Sequence, residues 1–165
     1  MAKEAKRTMI SLKSSDGDTF EVSPLIVKQM LTVQAFVEDD DSSITVIPLP
    51  NVNTSELTKT IEYLNFHHRE EKPTDDEAKK FDAQFLKNLN HRQLLELVIA
   101  ANYLNAKEFL DFLNQGVADR IKNKSVKFVR KMFGIESDFT PAEEDEILKE
   151  HAWAHEGVDP DREDL

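Results

Sequence analysis

The sequence contains no cysteine and only four glycines among its 165 residues. Without cysteine, disulfide bonds, thiolate catalysis and cysteine-ligated zinc sites are excluded, which suits a reducing compartment. The glycines, at positions 17, 116, 134 and 157, are too far apart to form a loop that cradles a phosphate. A Gly-x-Ser-x-Gly nucleophile elbow is also absent. The sequence therefore does not predict a nucleotide-dependent enzyme or a serine hydrolase.

Long apolar runs are missing as well. The most apolar stretch, Leu94 to Leu104, is shorter than the roughly 20 residues that a membrane-spanning helix needs. It predicts instead a helix that is buried on several sides and forms the centre of a soluble fold. The first residues, MAKEAKRT, are charged and lack the apolar core of a secretory signal. We therefore expect a cytoplasmic and nuclear protein that has no membrane partner.

Positive charge is scarce relative to negative charge. The chain has 21 lysines and arginines against 32 aspartates and glutamates, a formal net charge of −11. Binding to nucleic acid depends on clustered basic side chains, so this function is not predicted. The acidic runs, such as Glu38 to Asp41 and Glu143 to Glu146, are interpreted as solvated loops and helix starts. They also leave room for a basic partner on one face.

The first half of the chain predicts strands and short helices. Alternating apolar residues predict a hairpin of strands 9–13 and 19–22, and a third strand over Ile44 to Leu49. Short helices are predicted from Pro24 to Met30 and around Val33 to Val37. Asn53 and Glu56 have the spacing of a capping box for a further helix. The polar stretch 69–80 is predicted to be a freely moving surface loop.

From Phe81 onward the pattern predicts only helices. Asn90 with Gln93 and Asn105 with Glu108 are spaced as caps, and Thr140–Pro141 places proline at the first helical position. The predicted helices are Asp82–Leu86, Arg92–Leu104, Lys107–Ile121, Ser125–Phe133 and Pro141 to about Ala154. A small sheet followed by helices predicts an α+β fold.

The last two predicted helices lack enough partners within the chain. The helix from Pro141 has a thin apolar stripe, Ile147, Leu148, Ala152 and Trp153, among many acids. The helix 125–135 is apolar on two sides, with Val126, Val129 and Phe133 on one and Phe128, Met132 and Ile135 on the other. Aromatic residues such as Trp153 and Phe133 commonly dominate interface energy. These helices are therefore candidates for a partner-binding surface.

A metal-dependent enzyme is a weaker alternative. His151 and His155 are four residues apart, which on a helix would place both imidazoles on one face. No third ligand is evident in the sequence, and the His-Glu-x-x-His pattern is absent. His67 and His68 are expected to meet free carbonyls at a helix end. The sequence thus predicts no metal site, no cofactor and no catalysis.

Six motifs in order resemble one known family: SSDGDTFEV, PLPNVN, FDAQFL, LELVIAANYL, VADRIKNKS and SDFTPAEED, followed by Trp153. The chain resembles the S-phase-kinase-associated (SKP-one-like) adaptors of SCF ubiquitin ligases from about Thr8 to Trp153. The resemblance implies a BTB/POZ fold over residues 7–121 with an acidic loop at 69–80. It also implies a C-terminal helical extension, 122–154, that binds F-box proteins. Residues 155–165 are expected to be a disordered acidic tail.

The resemblance also implies two sets of partner-binding residues. The residues that the resemblance places on the F-box-binding surface are Val117, Ile121, Phe133, Ile135 and Trp153. We predict that Leu94, Val98 and Val129 also belong to this surface. Asn102 and Tyr103 match the family's Asn-Tyr pair, which is associated with the side that faces the cullin N-terminal domain. The implied function is that of a non-catalytic adaptor that joins a cullin to F-box substrate receptors for ubiquitin-dependent degradation. Without an F-box partner, self-association through the exposed surface is expected.

Departures from the family's usual pattern fall in two places. Phe81 replaces a usual tryptophan, and NKSVKFVR at 123–130 replaces GKTPEEIR, so the proline and the first-turn acids are lost. The helix start should be weaker and more basic, and Phe128 should alter the choice of F-box partners. The alternative function is a BTB/POZ interaction scaffold, elongin-C-like or self-associating, outside a cullin ligase. Helices after Lys124 favour F-box binding, because elongin-C-like relatives end earlier.

Overall fold

A computed structural model describes residues 9–39 and 46–161. Within them a sheet of three strands has the order β2-β1-β3, where β1 is Ile10–Lys13, β2 is Thr19–Val22 and β3 is Val46–Pro48. The predicted hairpin is confirmed: β1 and β2 are antiparallel, with Leu12 opposite Phe20. β3 runs parallel to β1, with Ile47 beside Leu12. The predicted third strand began at Ile44, which lies outside the described residues with Thr45.

Helices make up most of the remaining described chain. A short 3-10 turn, Ala152–His155, follows the last α-helix. In chain order the helices are α1 Pro24–Val27, α2 Leu31–Asp39, α3 Thr54–His67, α4 Asp75–Lys87, α5 His91–Leu104, α6 Lys107–Ile121, α7 Val126–Phe133 and α8 Pro141–Glu150. This α+β arrangement confirms the predicted fold class.

Two helix boundaries follow the predicted caps. Asn53 caps α3 and Asn90 caps α5, each accepting a bond from the backbone N–H three residues on. In both cases the third helical residue, Glu56 or Gln93, accepts a bond from the cap residue's own backbone N–H. Such reciprocal bonds satisfy N–H groups that the helix leaves unpaired, and each cap stabilises a helix by about 1 kcal/mol. The boundaries were predictable because these signals are local.

The predicted loop 69–80 is wrong over its second half, because α4 begins at Asp75 rather than at Asp82. Thr74 accepts a bond from the Glu77 N–H, and Glu77 accepts one from the Thr74 N–H. This capping box starts the helix earlier than the hydrophobic pattern indicates. In the shorter loop that remains, the Arg69 guanidinium lies 4.9 Å from the centroid of the Phe66 ring.

Aromatic side chains hold α4 against α3. The rings of Phe66 and Phe81 stack with centroids 3.9 Å apart, and Phe85 meets Tyr63 edge-on at 5.8 Å. Aromatic pairs of this kind add about 0.5–1.5 kcal/mol beyond the area they bury. Burial raises the pKa of the Tyr63 phenol. Phe81, at a position where the family that the sequence resembles usually has tryptophan, therefore keeps the packing role of an aromatic ring.

Three further details differ from the prediction. Asn105 does not cap the start of α6; it ends α5 in the left-handed conformation, with φ 51°. The last α-helix ends at Glu150 rather than near Ala154. The two adjacent histidines meet carboxylates rather than backbone carbonyls: His67 Nε2 lies 2.7 Å from Asp82 and His68 Nε2 lies 3.3 Å from Glu108.

The chain divides into two units, Met1–Asn114 and Gln115–Leu165, with the division inside α6. In the first unit α5 packs against α2 and α3. Its buried side chains fall on one side of the helix, namely Leu94, Leu97, Ala100, Ala101 and Leu104. Burying a leucine fully stabilises a fold by about 1.5–3 kcal/mol, so α5 is a central element of this core. The prediction that this helix is buried on several sides is therefore wrong: its buried residues share one side, and Ile99 is 68% exposed.

Candidate partner-binding surfaces

The second unit exposes large apolar side chains on α7, on α8 and on the segments that follow them. Trp153, in the 3-10 turn, is 72% exposed, and Ile135 is 58% exposed. Val126, Phe133, Phe139, Ile147 and Leu148 are also exposed. Helix α8 has no buried residue, so its thin apolar stripe is not covered by the described part of the chain. Exposed apolar groups at this density are typical of protein–protein interaction sites.

Helix α7 has a definite inner and outer side. Met132 is buried, whereas Val126 and Phe133 are exposed. The helix ends at Gly134, whose φ of 65° a residue with a side chain rarely adopts. The N–H of Ile135 then bonds the carbonyl of Arg130 at 2.8 Å, which closes the helix end. This helix end sets the direction in which the chain leaves α7 between Phe133 and Ile135. Both are predicted F-box-binding residues.

An ion pair ties α7 to the start of α8. Arg130 Nη1 lies 2.7 Å from Glu144 Oε1, and the Ser137 hydroxyl donates to the same oxygen. The hydrogen bond from Ser137 and the nearby Arg130 lower the pKa of the Glu144 carboxyl. Thr140 caps α8 through a capping box with Glu143, as predicted. The two helices that carry exposed apolar residues are therefore linked by polar contacts.

The start of α7 has the basic character that the sequence predicts. Ser125 caps the helix by accepting a bond from the Phe128 N–H at 3.0 Å, and the first turn contains no acidic residue. Lys124 Nζ lies 5.5 Å from the centroid of the Phe128 ring. A carboxylate in the first turn would interact favourably with the helix dipole, so this start lacks one source of stability.

The remaining predicted F-box-binding residues are more covered. Val117, Ile121 and Val129 are partly buried in the second unit, and Val98 is partly buried in the first. Leu94 is fully buried in the core of the first unit and offers no surface to a partner. Its apolar character alone could not distinguish a core position from an interface position.

The predicted cullin-facing pair lies near the end of α5. Asn102 is exposed and Tyr103 is partly buried, and the Tyr103 carbonyl accepts a bond of 2.8 Å from the Thr32 hydroxyl of α2. Ile99 lies three residues before Asn102 and four before Tyr103, so it shares their helix face. Its side chain is strongly exposed. The sequence prediction did not include Ile99. An apolar residue at this spacing from the polar pair is the signal that could have identified it.

The geometry gives no support to the metal-site alternative. His151 ends α8 with φ −116°, and His155 lies at the end of the separate 3-10 turn, so the two do not share a regular helix face. Across residues 9–39 and 46–161, no group of three or more histidine, aspartate or glutamate side chains is arranged to hold a metal ion. In the same part of the chain, no helix is long and apolar enough to cross a membrane.

Comparison with known proteins gives two matches to family models. Residues 8–69 match the model described as "Skp1 family, tetramerisation domain", and residues 107–154 match "Skp1 family, dimerisation domain". SKP1-like protein 1 of Oryza sativa subsp. japonica is 43% identical over 94% of this chain and its own entire length. SKP1-like protein 14 of Arabidopsis thaliana is 43% identical over 89% of this chain and 97% of its own. The second match, 107–154, includes the exposed apolar residues of α7, α8 and the 3-10 turn.

Proposed function

The chain belongs to the Skp1 family, and from that premise we propose that it is the adaptor subunit of an SCF-type cullin-RING ubiquitin ligase. In this role one surface binds F-box substrate receptors and another binds the cullin scaffold. The observation that carries the proposal is the exposure of large apolar side chains in the second unit, among them Trp153, Phe133 and Ile135. A surface of this kind on a stable fold is suited to a permanent protein partner.

In this proposal the adaptor positions the substrate receptor and takes no part in the chemical reaction. By holding a substrate receptor at a fixed place on a cullin, it raises the effective concentration of substrate near the ubiquitin-charged enzyme. The reciprocal caps and the aromatic packing of α3 and α4 support this role, since a flexible adaptor would place the substrate less precisely. Ubiquitin-dependent degradation of the bound substrate is the expected result. We propose the cytoplasm and nucleus as the places where this occurs.

We propose that the F-box-binding extension comprises residues 122–154 and follows a BTB/POZ domain over 7–121. The side chains that we assign to the F-box surface are Val117, Ile121, Val129, Phe133, Ile135 and Trp153. Asn102 and Tyr103, together with the exposed Ile99, are assigned to the cullin-facing surface. Val98 stays a prediction for the F-box side, whereas the fully buried Leu94 is assigned to the core.

The alternative function, a BTB/POZ scaffold outside a cullin ligase, differs in what it requires of the C-terminal helices. A scaffold that resembles elongin C would end before α7 and α8. Both helices are present here and expose apolar residues. The adaptor function gives these side chains a partner, so we favour it. Self-association of the isolated chain through the same surface is expected when no F-box partner is present.

Binding to a tagged F-box segment tests the proposal. The purified chain should be retained by the F-box segment, and the Asn102→Lys/Tyr103→Lys variant should be retained equally. A chain that folds, as judged by circular dichroism, but is not retained by a panel of F-box segments would contradict the adaptor function. Failure to retain both the F-box segments and the cullin N-terminal domain would favour the scaffold function instead.

Phe128 provides a test of partner choice. Replacing it by glutamate restores an acid to the first turn of α7 and removes an aromatic side chain beside the proposed F-box surface. We expect Phe128→Glu to change which F-box segments bind while raising helix stability slightly through the dipole interaction. Parallel capture with a panel of F-box segments measures the change. An unchanged set of bound segments would show that Phe128 does not determine partner choice.

A further inference from the structure

The C-terminal acidic segment, residues 156–161, contacts the start of α7. Lys124 Nζ lies 3.1 Å from Asp159 Oδ2, and the Ser125 hydroxyl donates to Asp161 Oδ1 at 2.5 Å. The backbone N–H of Asp159 also bonds the carbonyl of Asn123 at 2.8 Å. Disorder was predicted for 155–165; the described part of that tail instead makes defined contacts, and residues 162–165 lie outside the described residues.

Two backbone features bring the segment to this place. Gly157, with φ 76°, lets the chain turn after the 3-10 turn in a conformation that side chains disfavour. Asn123 is itself left-handed, with φ 59°, and its carbonyl receives the Asp159 N–H. Val158 is partly buried. The contact thus combines a backbone hydrogen bond with an ion pair.

The charges of the two segments are complementary. Every charged residue from 120 to 131 is basic, namely Arg120, Lys122, Lys124, Lys127, Arg130 and Lys131, although the whole chain has a net charge of −11. The segment 156–161 contains only acidic charges, Glu156, Asp159 and Asp161. The acids therefore lie beside the helix start that lacks an acidic residue of its own. They supply, from a distant part of the chain, the negative charge that this end of a helix favours.

We propose that the acidic segment is an intramolecular latch on the start of α7 that competes with partner binding to this helix. The latch contacts residues 123–125, which lie between Ile121 and Val129 of the proposed F-box surface. Closing it stabilises the start of α7, and a partner that approaches this helix start must displace it. The competition with an F-box partner rests on the proposed function, whereas the latch itself rests only on the contacts.

The contribution of the ion pair to closing the latch depends on how exposed its two side chains are to solvent. The side chains of Lys124 and Asp159 are 30% and 52% exposed, so their pair is partly screened by water. Exposed pairs change an equilibrium by up to about fivefold. Since affinity falls in proportion to the fraction of binding-competent molecules, releasing the latch should tighten F-box binding by up to about fivefold.

The test compares the parent chain with the double variant Asp159→Asn/Asp161→Asn. The matched control, Glu71→Gln/Asp111→Asn, makes the same change in net charge at exposed positions of the first unit. Amide hydrogen exchange of residues 126–130, followed by mass spectrometry, reports on the latch without any partner. We expect faster exchange in the latch variant only, and faster exchange of the parent chain in about 1 M salt, where charges are screened beyond about 3 Å. Equal exchange in all three chains would overturn the latch.

A charge swap and an affinity measurement complete the test. Lys124→Glu and Asp159→Lys should each speed exchange, and the two together should restore it; failure of the pair to restore protection would overturn the assigned ion pair. Titration of a labelled F-box segment should show tighter binding to Asp159→Asn/Asp161→Asn than to the control. Faster exchange with unchanged affinity would overturn the competition. If no chain binds any F-box segment, the proposed function fails, and the exchange data still decide whether the latch exists.

Discussion

Replacing Trp153 by alanine should remove most of the affinity for F-box partners while leaving the fold intact. A tryptophan presents up to about 250 Å² of surface, and 72% of it is exposed here, which leaves about 180 Å² for a partner to cover. At about 25 cal/mol per Å², complete burial of that surface contributes about 4.5 kcal/mol. Because alanine retains part of the contact, we expect a loss of about 2–4 kcal/mol, or about 30-fold to 1,000-fold in Kd.

The assay is a fluorescence titration of a labelled F-box segment against the purified chain. Trp153→Phe should lose less affinity than Trp153→Ala, because an aromatic ring remains. Ile99→Ala is the matched control: Ile99 is similarly exposed, at 68%, but lies on the part of α5 that we propose binds the cullin. It should leave F-box affinity unchanged. Urea unfolding should show that Trp153→Ala changes the free energy of unfolding by less than about 0.5 kcal/mol.

Two outcomes would refute this reasoning. If Trp153→Ala binds the F-box segment within twofold of the parent chain, the exposed indole is not an anchor. If Ile99→Ala loses as much affinity as Trp153→Ala, the loss does not report on a surface of the second unit. A variant that loses stability as well as affinity would have to be replaced by Trp153→Phe before either conclusion is drawn.

Three further predictions address the other surface, the core and the caps. Asn102→Lys/Tyr103→Lys should weaken binding of the cullin N-terminal domain at least tenfold and spare F-box binding, as measured by parallel titrations. Leu94→Ala should lower the free energy of unfolding in urea by about 2–5 kcal/mol, because it empties a fully buried site. Hydrogen bonds from the backbone N–H and hydroxyl of Thr74 lower the pKa of Glu77 below its ordinary value of 4.5. The stability they contribute is therefore present above about pH 4.5 and lost as the pH falls through the folded-state pKa; Glu77→Gln should flatten this part of the pH–stability curve.

The sequence was sufficient for the elements whose signals are local. The hairpin of β1 and β2 follows from alternation, and the starts of α3, α5 and α8 follow from Asn53, Asn90 and Thr140. Each of these side chains bonds a backbone group only three residues away. Their geometry is thus contained within a few consecutive residues, which one sequence can display.

The errors arose where two signals competed or where distant residues meet. The acids of 75–77 indicated a loop, yet the Thr74–Glu77 box and the stacking of Phe81 on Phe66 make this segment a helix. Leu94 and Trp153 are both apolar residues in helical segments, but one is fully buried and the other exposed. Only tertiary packing distinguishes them. The contact of Asp159 with Lys124 joins residues 35 positions apart, so no local pattern could reveal it.

The most direct test of the adaptor function is assembly of a ternary complex. The chain is mixed with an F-box segment and a cullin N-terminal domain and analysed by size-exclusion chromatography. The account predicts one peak that contains all three proteins. It also predicts that Trp153→Ala loses only the F-box segment and that Asn102→Lys/Tyr103→Lys loses only the cullin domain. Two separate binary complexes that never combine would contradict the claim that this chain joins the two partners.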